Sequence, residues 1–165
     1  MPVSHLPSET SIYLYFDGLC EPKNPGGVAT FGVLVKEGDR TIFEDSGLGF
    51  AKPWTTEASN NVAEYSAIIH GLEWLDRNGL NSSCIVIRGD SKLVINQLNG
   101  LFKVKAIRIV ELHQRAAKLL SNFGDVHIEW VDRSKNKEAD LLSRIAYSRY
   151  IKTHKMKGQF PENSD

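Results

Sequence analysis

Four acidic residues, Asp17, Glu64, Asp90 and Asp140, stand where a folding chain gains little from a charge, and together they could bind divalent cations. Asp17 closes the apolar run Ile12-Tyr13-Leu14-Tyr15-Phe16 and Asp90 closes Ile85-Val86-Ile87-Arg88-Gly89, so each is expected where a buried strand stops. Glu64 and Asp140 fall in helical patterns. If the four carboxylates met within ~4 Å, each pair would repel by on the order of 4 kcal/mol at an effective dielectric of 20, which only cations or proton uptake relieves. An oxygen-only donor set suits magnesium or manganese rather than zinc.

Each residue also has an ordinary explanation. Asp90 before Ser91-Lys92 could cap a helix, Asp17 before Gly18 could be a turn residue, and Asp140 could be a surface Asp near a positive helix end. Glu64 heads the row Ala67, Gly71, Leu75 on the packed side of its helix, so it is either salt-bridged or serves a bound cation; we read it as the latter. The set carries the argument, because each ordinary reading accounts for one residue only.

The elements that must position these groups follow from pattern. Ile12 to Phe16 is a first strand, Glu21 to Gly27 a turn, Val28 to Val35 a second strand, and Thr41 to Phe50 a weaker third suited to an edge or bulge. Ser59 is the expected N-cap of a helix carrying Val62, Tyr65, Ile68, Ile69, Leu72 and Leu75, closing near Asn78-Gly79. A strand Cys84 to Gly89 leads to a short helix from Asp90 or Ser91 to Leu98. A longer helix presents Ala106, Ile109, Val110, His113, Ala116, Ala117, Leu120 and Phe123 to the core. Val126, Ile128 and Trp130 alternate in a last strand, and Lys135 to Tyr147 forms the final helix. The order βββαβααβα implies an α/β fold: a five-stranded mixed sheet, three strands antiparallel and two parallel, with helices on both faces. Strands one and four would be central, with ligands collecting beyond their carboxyl ends.

The 165 residues suffice for one domain, expected over 11–147, with an N-terminal extension over 1–10 and a polar, basic tail over 148–165 that has no fold of its own. No run approaches the apolar length that spans a bilayer, and the N-terminus lacks a secretory pattern, so a cytoplasmic protein is expected. Lys plus Arg equals Asp plus Glu at 20 each, so a polyanionic partner would need a local basic patch. Cys20 reads as a loop thiol and Cys84 as packing. A disulfide between them is not expected, because parallel strands would put them at opposite ends of the sheet.

The chain resembles type 1 ribonuclease H from about Ile12 to Ile145. The matching segments, in order, are Tyr15-Phe16-Asp17-Gly18 with Asn24-Pro25-Gly26-Gly27, then Asn60-Asn61-Val62-Ala63-Glu64, Gly89-Asp90-Ser91, and Asn136-Lys137-Glu138-Ala139-Asp140. The resemblance implies a ribonuclease H-like catalytic domain that cuts the RNA strand of an RNA/DNA hybrid, with Asp17, Glu64, Asp90 and Asp140 holding two Mg2+ or Mn2+ ions. In that scheme Asp17 and Asp90 bridge or flank both ions, Glu64 holds the ion on the leaving-group side, and Asp140 the one that positions water. It also implies substrate contacts from Gly18, Asn24, Asn60 and Asn61, although asparagines before a helix can equally cap or turn.

Two departures from the pattern stand out. The loop Val131 to Asn136 is short and lacks the histidine that long-loop members carry; Arg133 is the candidate for that space, and His127, inside a strand, is not its substitute. The stretch from Leu98 to Ala106 is too short for a basic hybrid-gripping handle, leaving Lys92, Lys103, Lys105 and Arg108 as a smaller phosphate patch or a solvated face. The other readings are a catalytically weak nucleic-acid-binding module of the same fold, a DNA-acting transposase or resolvase relative, and activity on double-stranded RNA, which shares A-form shape and 2′-hydroxyls. A monomer is expected.

Overall fold

The computed structural model describes residues 11–156; the expected extension over 1–10 and the end of the tail, 157–165, lie outside them. The strands are β1 (Ile12–Glu21), β2 (Val28–Glu37), β3 (Arg40–Leu48), β4 (Cys84–Gly89) and β5 (Asp125–Trp130). The helices are α1 (Asn60–Arg77), α2 (Lys92–Leu98), α3 (Ile107–Leu120) and α4 (Lys137–Met156), with a short 3-10 turn at Arg133–Lys135. The sheet order is β3-β2-β1-β4-β5, with β1 antiparallel to β2 and parallel to β4, and β4 parallel to β5. This is the expected five-stranded mixed sheet with β1 at its centre.

Period-two alternation divides the sheet into two faces. Ile12, Leu14, Phe16, Phe31, Val33, Val35, Ile85 and Ile87 pack under α1 and α3 in the main core, joined by Tyr65, Ile68, Ile69, Leu72 and Leu75 of α1. On the opposite face α4 packs across β1, β2 and β3. Tyr65 Oη donates to Gln97 Oε1 at 2.8 Å, tying α1 to α2.

Several expectations need correction. β1 does not stop at Phe16: antiparallel pairing with β2 carries it on to Glu21, opposite Val28, whereas its parallel pairing with β4 ends at Tyr15 opposite Arg88. Asp17 therefore lies inside a strand, two residues past the last β1–β4 pair. Cys20 is correspondingly a buried strand residue, its thiol bonded to the carbonyls of Lys23 and Ala58, and not a loop thiol. On α3, Ala106 and Ala117 are exposed and Leu112 is buried, so the core stripe is Ile109, Leu112, Ala116.

The final helix starts at Lys137 and runs nine residues beyond Tyr147, absorbing much of the expected tail. Its partly covered positions Tyr147, Tyr150, Ile151 and His154 keep a helical spacing after the buried Ala139, Ser143 and Ala146, and Tyr150 stacks on His154 at 3.7 Å. Among the described residues no helix is long and apolar enough to cross a membrane.

Candidate metal centre

The first carboxylate is set by the centre of the sheet and the second by the end of β4. Asp17 stands opposite Gly32 of β2, and Asp90 directly follows Gly89. The helices supply the other two. Two glycines allow the helices to come close enough. A Cβ at Gly18 would lie 2.5 Å from the Glu64 nitrogen and 2.6 Å from Ala63 Cβ, so only glycine lets β1 touch the start of α1. A Cβ at Gly32 would lie 2.3 Å from the Ala139 carbonyl oxygen and 2.6 Å from the Ser143 nitrogen, so the same holds for α4 on the other face.

The cap of α1 falls where expected: Ser59 Oγ accepts from the Val62 N–H at 3.2 Å, which puts Glu64 in the helix's second turn. Asp90 is not a cap. Ser91 takes that task for α2, accepting from the Val94 N–H, and the Asp90 carboxylate turns to the cluster while its carbonyl accepts from Trp130 Nε1 at 3.1 Å. Asp17 is not a turn residue either, since it pairs within β1 and β2.

Asp17, Glu64 and Asp90 each place a carboxylate oxygen within 4.8 Å of the others. Asp17 and Glu64 are 8% and 6% exposed, and Glu64 Oε2 is buried without a hydrogen-bond partner. Arg133 pairs with Asp90 at 3.8 Å, and no ion pair within 4.0 Å to Glu64 occurs among the described residues. The salt-bridge explanation of Glu64 therefore fails. Asp140 is the outermost of the four; its carboxyl helps to raise Asp17, and both its oxygens lie 3.2 Å from Arg144 Nε.

Burial and mutual charge disturb these acids in one direction. Asp17 is pushed up to about 7, by desolvation first, then by the Asp90 charge and the Asp140 contact. Desolvation, then Asp17 and Asp90, raise Glu64 well above its ordinary value, with Arg133 opposing. Burial also raises Asp90, against the lowering effect of Arg133. A buried acid with an orphaned oxygen, beside two more acids whose charged forms are disfavoured, fits a divalent cation bound by hard oxygen donors.

A cleft of about 440 Å³ opens over the cluster, and Gly18, Asn24, Asn60, Asn61 and Arg133 line it beside the acids. Asn24 also has a structural task, its Oδ1 accepting from the Asn60 N–H at 3.1 Å to tie the β1–β2 loop to α1. Lys92 is not in the cleft; its ammonium sits 4.8 Å over the Trp130 ring beside it. The residues from Val131 to Asn136 hold only the 3-10 turn, with Arg133 86% exposed at the cleft edge, while His127 bonds Asp125 at 2.8 Å.

Sequence reasoning missed two residues. Asn136 is buried and donates from Nδ2 to the Phe16 carbonyl at 2.8 Å, and its amide lowers the neighbouring Asp90 carboxyl, so it locks the α4 entry to β1 at the cluster. Nothing local signals a bond spanning 120 residues. Arg144 was legible in principle, one helical turn after Asp140.

A mixed sheet in this order, with carboxylates converging on its centre from β1, β4 and α1, defines a ribonuclease H-like domain. The chain belongs to the reverse transcriptase-like family, whose pattern matches residues 16–146. It is 37% identical over 135 residues to ribonuclease HI of Halobacterium salinarum, covering 82% of this chain and 63% of that protein. The bifunctional protein Rv2228c of Mycobacterium tuberculosis is 36% identical over 123 residues, covering 74% of this chain and 32% of its own length. The chain thus spans less than two thirds of either relative. The crystal structure of RNase H1 from Halobacterium salinarum superposes with a TM-score of 0.73 at 31% identity, covering 84% of this chain and 98% of that one. LC11-RNase H1, solved in complex with RNA/DNA hybrid, superposes with a TM-score of 0.74 at 31% identity over 85% of this chain and 99% of its own.

Proposed function

We propose that this chain is an endonuclease that hydrolyses the RNA strand of RNA/DNA hybrids with two bound divalent ions, Mg2+ or Mn2+. The observation that carries the reading is the convergence of Asp17, Glu64 and Asp90 within 4.8 Å around a buried, unpartnered Glu64 oxygen. The similarity to proteins of that activity supports it.

Asp17, Glu64 and Asp90 would hold the ions, with Asp140 completing the set from the rim. Bound there, divalent ions supply an activated water and stabilise charge on the phosphate and the departing oxygen. The chain's own residues do the rest. Backbone at Gly18 and the side chains of Asn24, Asn60 and Asn61 form the wall on which a strand's 2′-hydroxyls are read, the groups that separate RNA from DNA. Arg133, in the space where long-loop members carry a histidine, offers a fixed positive charge to an incoming phosphate and leaves water activation to the carboxylate set. Lys92, held over Trp130 beside the cleft, is placed to meet a neighbouring phosphate.

The test is an assay of purified protein on end-labelled hybrid, on RNA alone and on duplex DNA of one sequence, with Mg2+, with Mn2+ and with EDTA. Metal-dependent cuts confined to the RNA strand of the hybrid are expected. Tight hybrid binding without cleavage would favour the non-catalytic module, and cleavage of duplex DNA the transposase-like reading.

A further inference from the structure

At the opposite end of the parallel strands, where β4 and β5 begin, lies a second group of ligating side chains unlike the first. The parallel register pairs Cys84 with Asp125 and Val86 with His127. Cys84, Asp125 and His127 therefore project from one face of the sheet, the face turned away from α1. Cys84 Sγ, a carboxylate oxygen of Asp125 and a ring nitrogen of His127 all lie within 4.8 Å of one another. Asp125 Oδ1 meets His127 Nε2 at 2.8 Å, and the Cys84 thiol is hydrogen-bonded with Asp125 and Ser11. Cys84 is in no disulfide.

We propose that Cys84, Asp125 and His127 form a binding site for a thiophilic divalent cation of the zinc class, separate from the acidic centre. Three features of the group select that chemistry. One thiolate, one imidazole and one carboxylate are the sulfur, nitrogen and oxygen donors zinc accepts, whereas magnesium takes oxygen alone. Zinc bond lengths in tetrahedral geometry put ligand atoms about 3.3 to 3.7 Å apart, so the trio closes on an ion by small side-chain shifts with no strand movement. A thiolate and a carboxylate also neutralise the ion's two charges, with the thiol proton released to solvent on binding.

The site is open to an entering ion. Asp125 is exposed and Cys84 and His127 are partly so, because α4 covers β1, β2 and β3 on this face and stops short of β4 and β5. Two ligands from the edge strand and one from its neighbour make the bound ion a clamp of β5 onto β4. The fourth position falls to water, with Ser11 beside the thiol. None of this rests on the nuclease reading.

The test uses Co2+ as a spectroscopic probe of the full chain stripped with EDTA and returned to excess Mg2+, which occupies hard oxygen sites. A thiolate-to-cobalt charge-transfer band is expected, saturating at one equivalent, displaced by Zn2+, present in D17N and absent in C84S. H127Q keeps both thiols and is expected to bind Co2+ at least tenfold more weakly, which answers the question even if C84S folds poorly. At a hundredfold excess of Zn2+ over its Kd the wild-type melting temperature should rise by about 5 °C and that of C84S should not. Hybrid cleavage in Mg2+ should be the same in C84S as in wild type. No charge-transfer band, a band that survives C84S, or a band lost in D17N would each overturn the proposal.

Discussion

Where β4 ends, the ligating atoms are all carboxylate oxygens, contributed by β1, α1 and the residue after β4, with Asp140 of α4 at the rim. Where β4 begins, sulfur, nitrogen and oxygen come from two adjacent strands alone. The difference is one of assembly. The second group is fixed by strand register, which holds Cys84 and Asp125 side by side without help. The first needs helices from both faces of the sheet, admitted by Gly18 and Gly32, and it gathers like charges that resist one another. One end is strained electrostatically until cations arrive, and the other is a satisfied polar cluster that an ion can enter.

The largest effect that sharpens this contrast is at Glu64. Glu64→Gln should lower kcat for hybrid cleavage about a thousandfold, equivalent to roughly 4 kcal/mol of transition-state stabilisation. In EDTA it should raise the melting temperature, since a buried carboxyl that burial and Asp17 oppose is replaced by a neutral amide. Steady-state kinetics and calorimetry on one preparation read both.

Next comes the pH dependence of the metal-free protein. Asp17 titrates at about 7 in the fold against its ordinary 3.8, so between those values the folded state keeps a proton that the unfolded chain releases. Stability therefore falls as pH rises through that window, by roughly 3 to 4 kcal/mol from this group, and is unaffected by it below pH 3.8. Denaturant titrations in EDTA between pH 4 and 8 measure the slope, and saturating Mg2+ should flatten it.

Gly18→Ala tests the close approach of β1 and α1. With backbone and Ala63 Cβ at 2.5 to 2.7 Å, no flexible side chain can yield, and a loss of about 3 kcal/mol in chemical denaturation is expected, with cleavage falling as Glu64 is displaced. Smaller again is Asn136→Ala, which removes the bond to the Phe16 carbonyl and the amide that lowers Asp90; about 2 kcal/mol of stability and a roughly tenfold fall in kcat are expected. None of these changes should alter Co2+ binding at Cys84.

Much of the acidic site was legible because its signals are local. Ser59 caps α1 where its side chain and the following apolar spacing indicate, and β4 runs from Cys84 to Gly89 as its apolar run reads, delivering Asp90. Asp17 was placed at a strand end because a single strand shows only its own composition; the hairpin that extends β1 to Glu21 is a pairing with β2, visible only in register. The same limit hid Asn136, whose hydrogen-bond partner is the Phe16 carbonyl of β1. It also made Cys84 read as packing and His127 as merely the wrong histidine, since nothing but the β4–β5 alignment sets them around Asp125. The length of α4 escaped for another reason: Tyr147, Tyr150, Ile151 and His154 form its stripe, but Arg149, Lys152 and Lys155 between them give the segment the composition of a tail.

Asp17 belongs only to the acidic end and sits at its centre. Wild type and Asp17→Asn should be compared on end-labelled RNA/DNA hybrid in Mg2+, with melting curves in EDTA as the control for folding. Internal cuts in the RNA strand by wild type are expected, at least a thousandfold less by the variant, and a variant that melts no lower than wild type. Equal cleavage by the two well-folded proteins, or none by either, would contradict the nuclease reading.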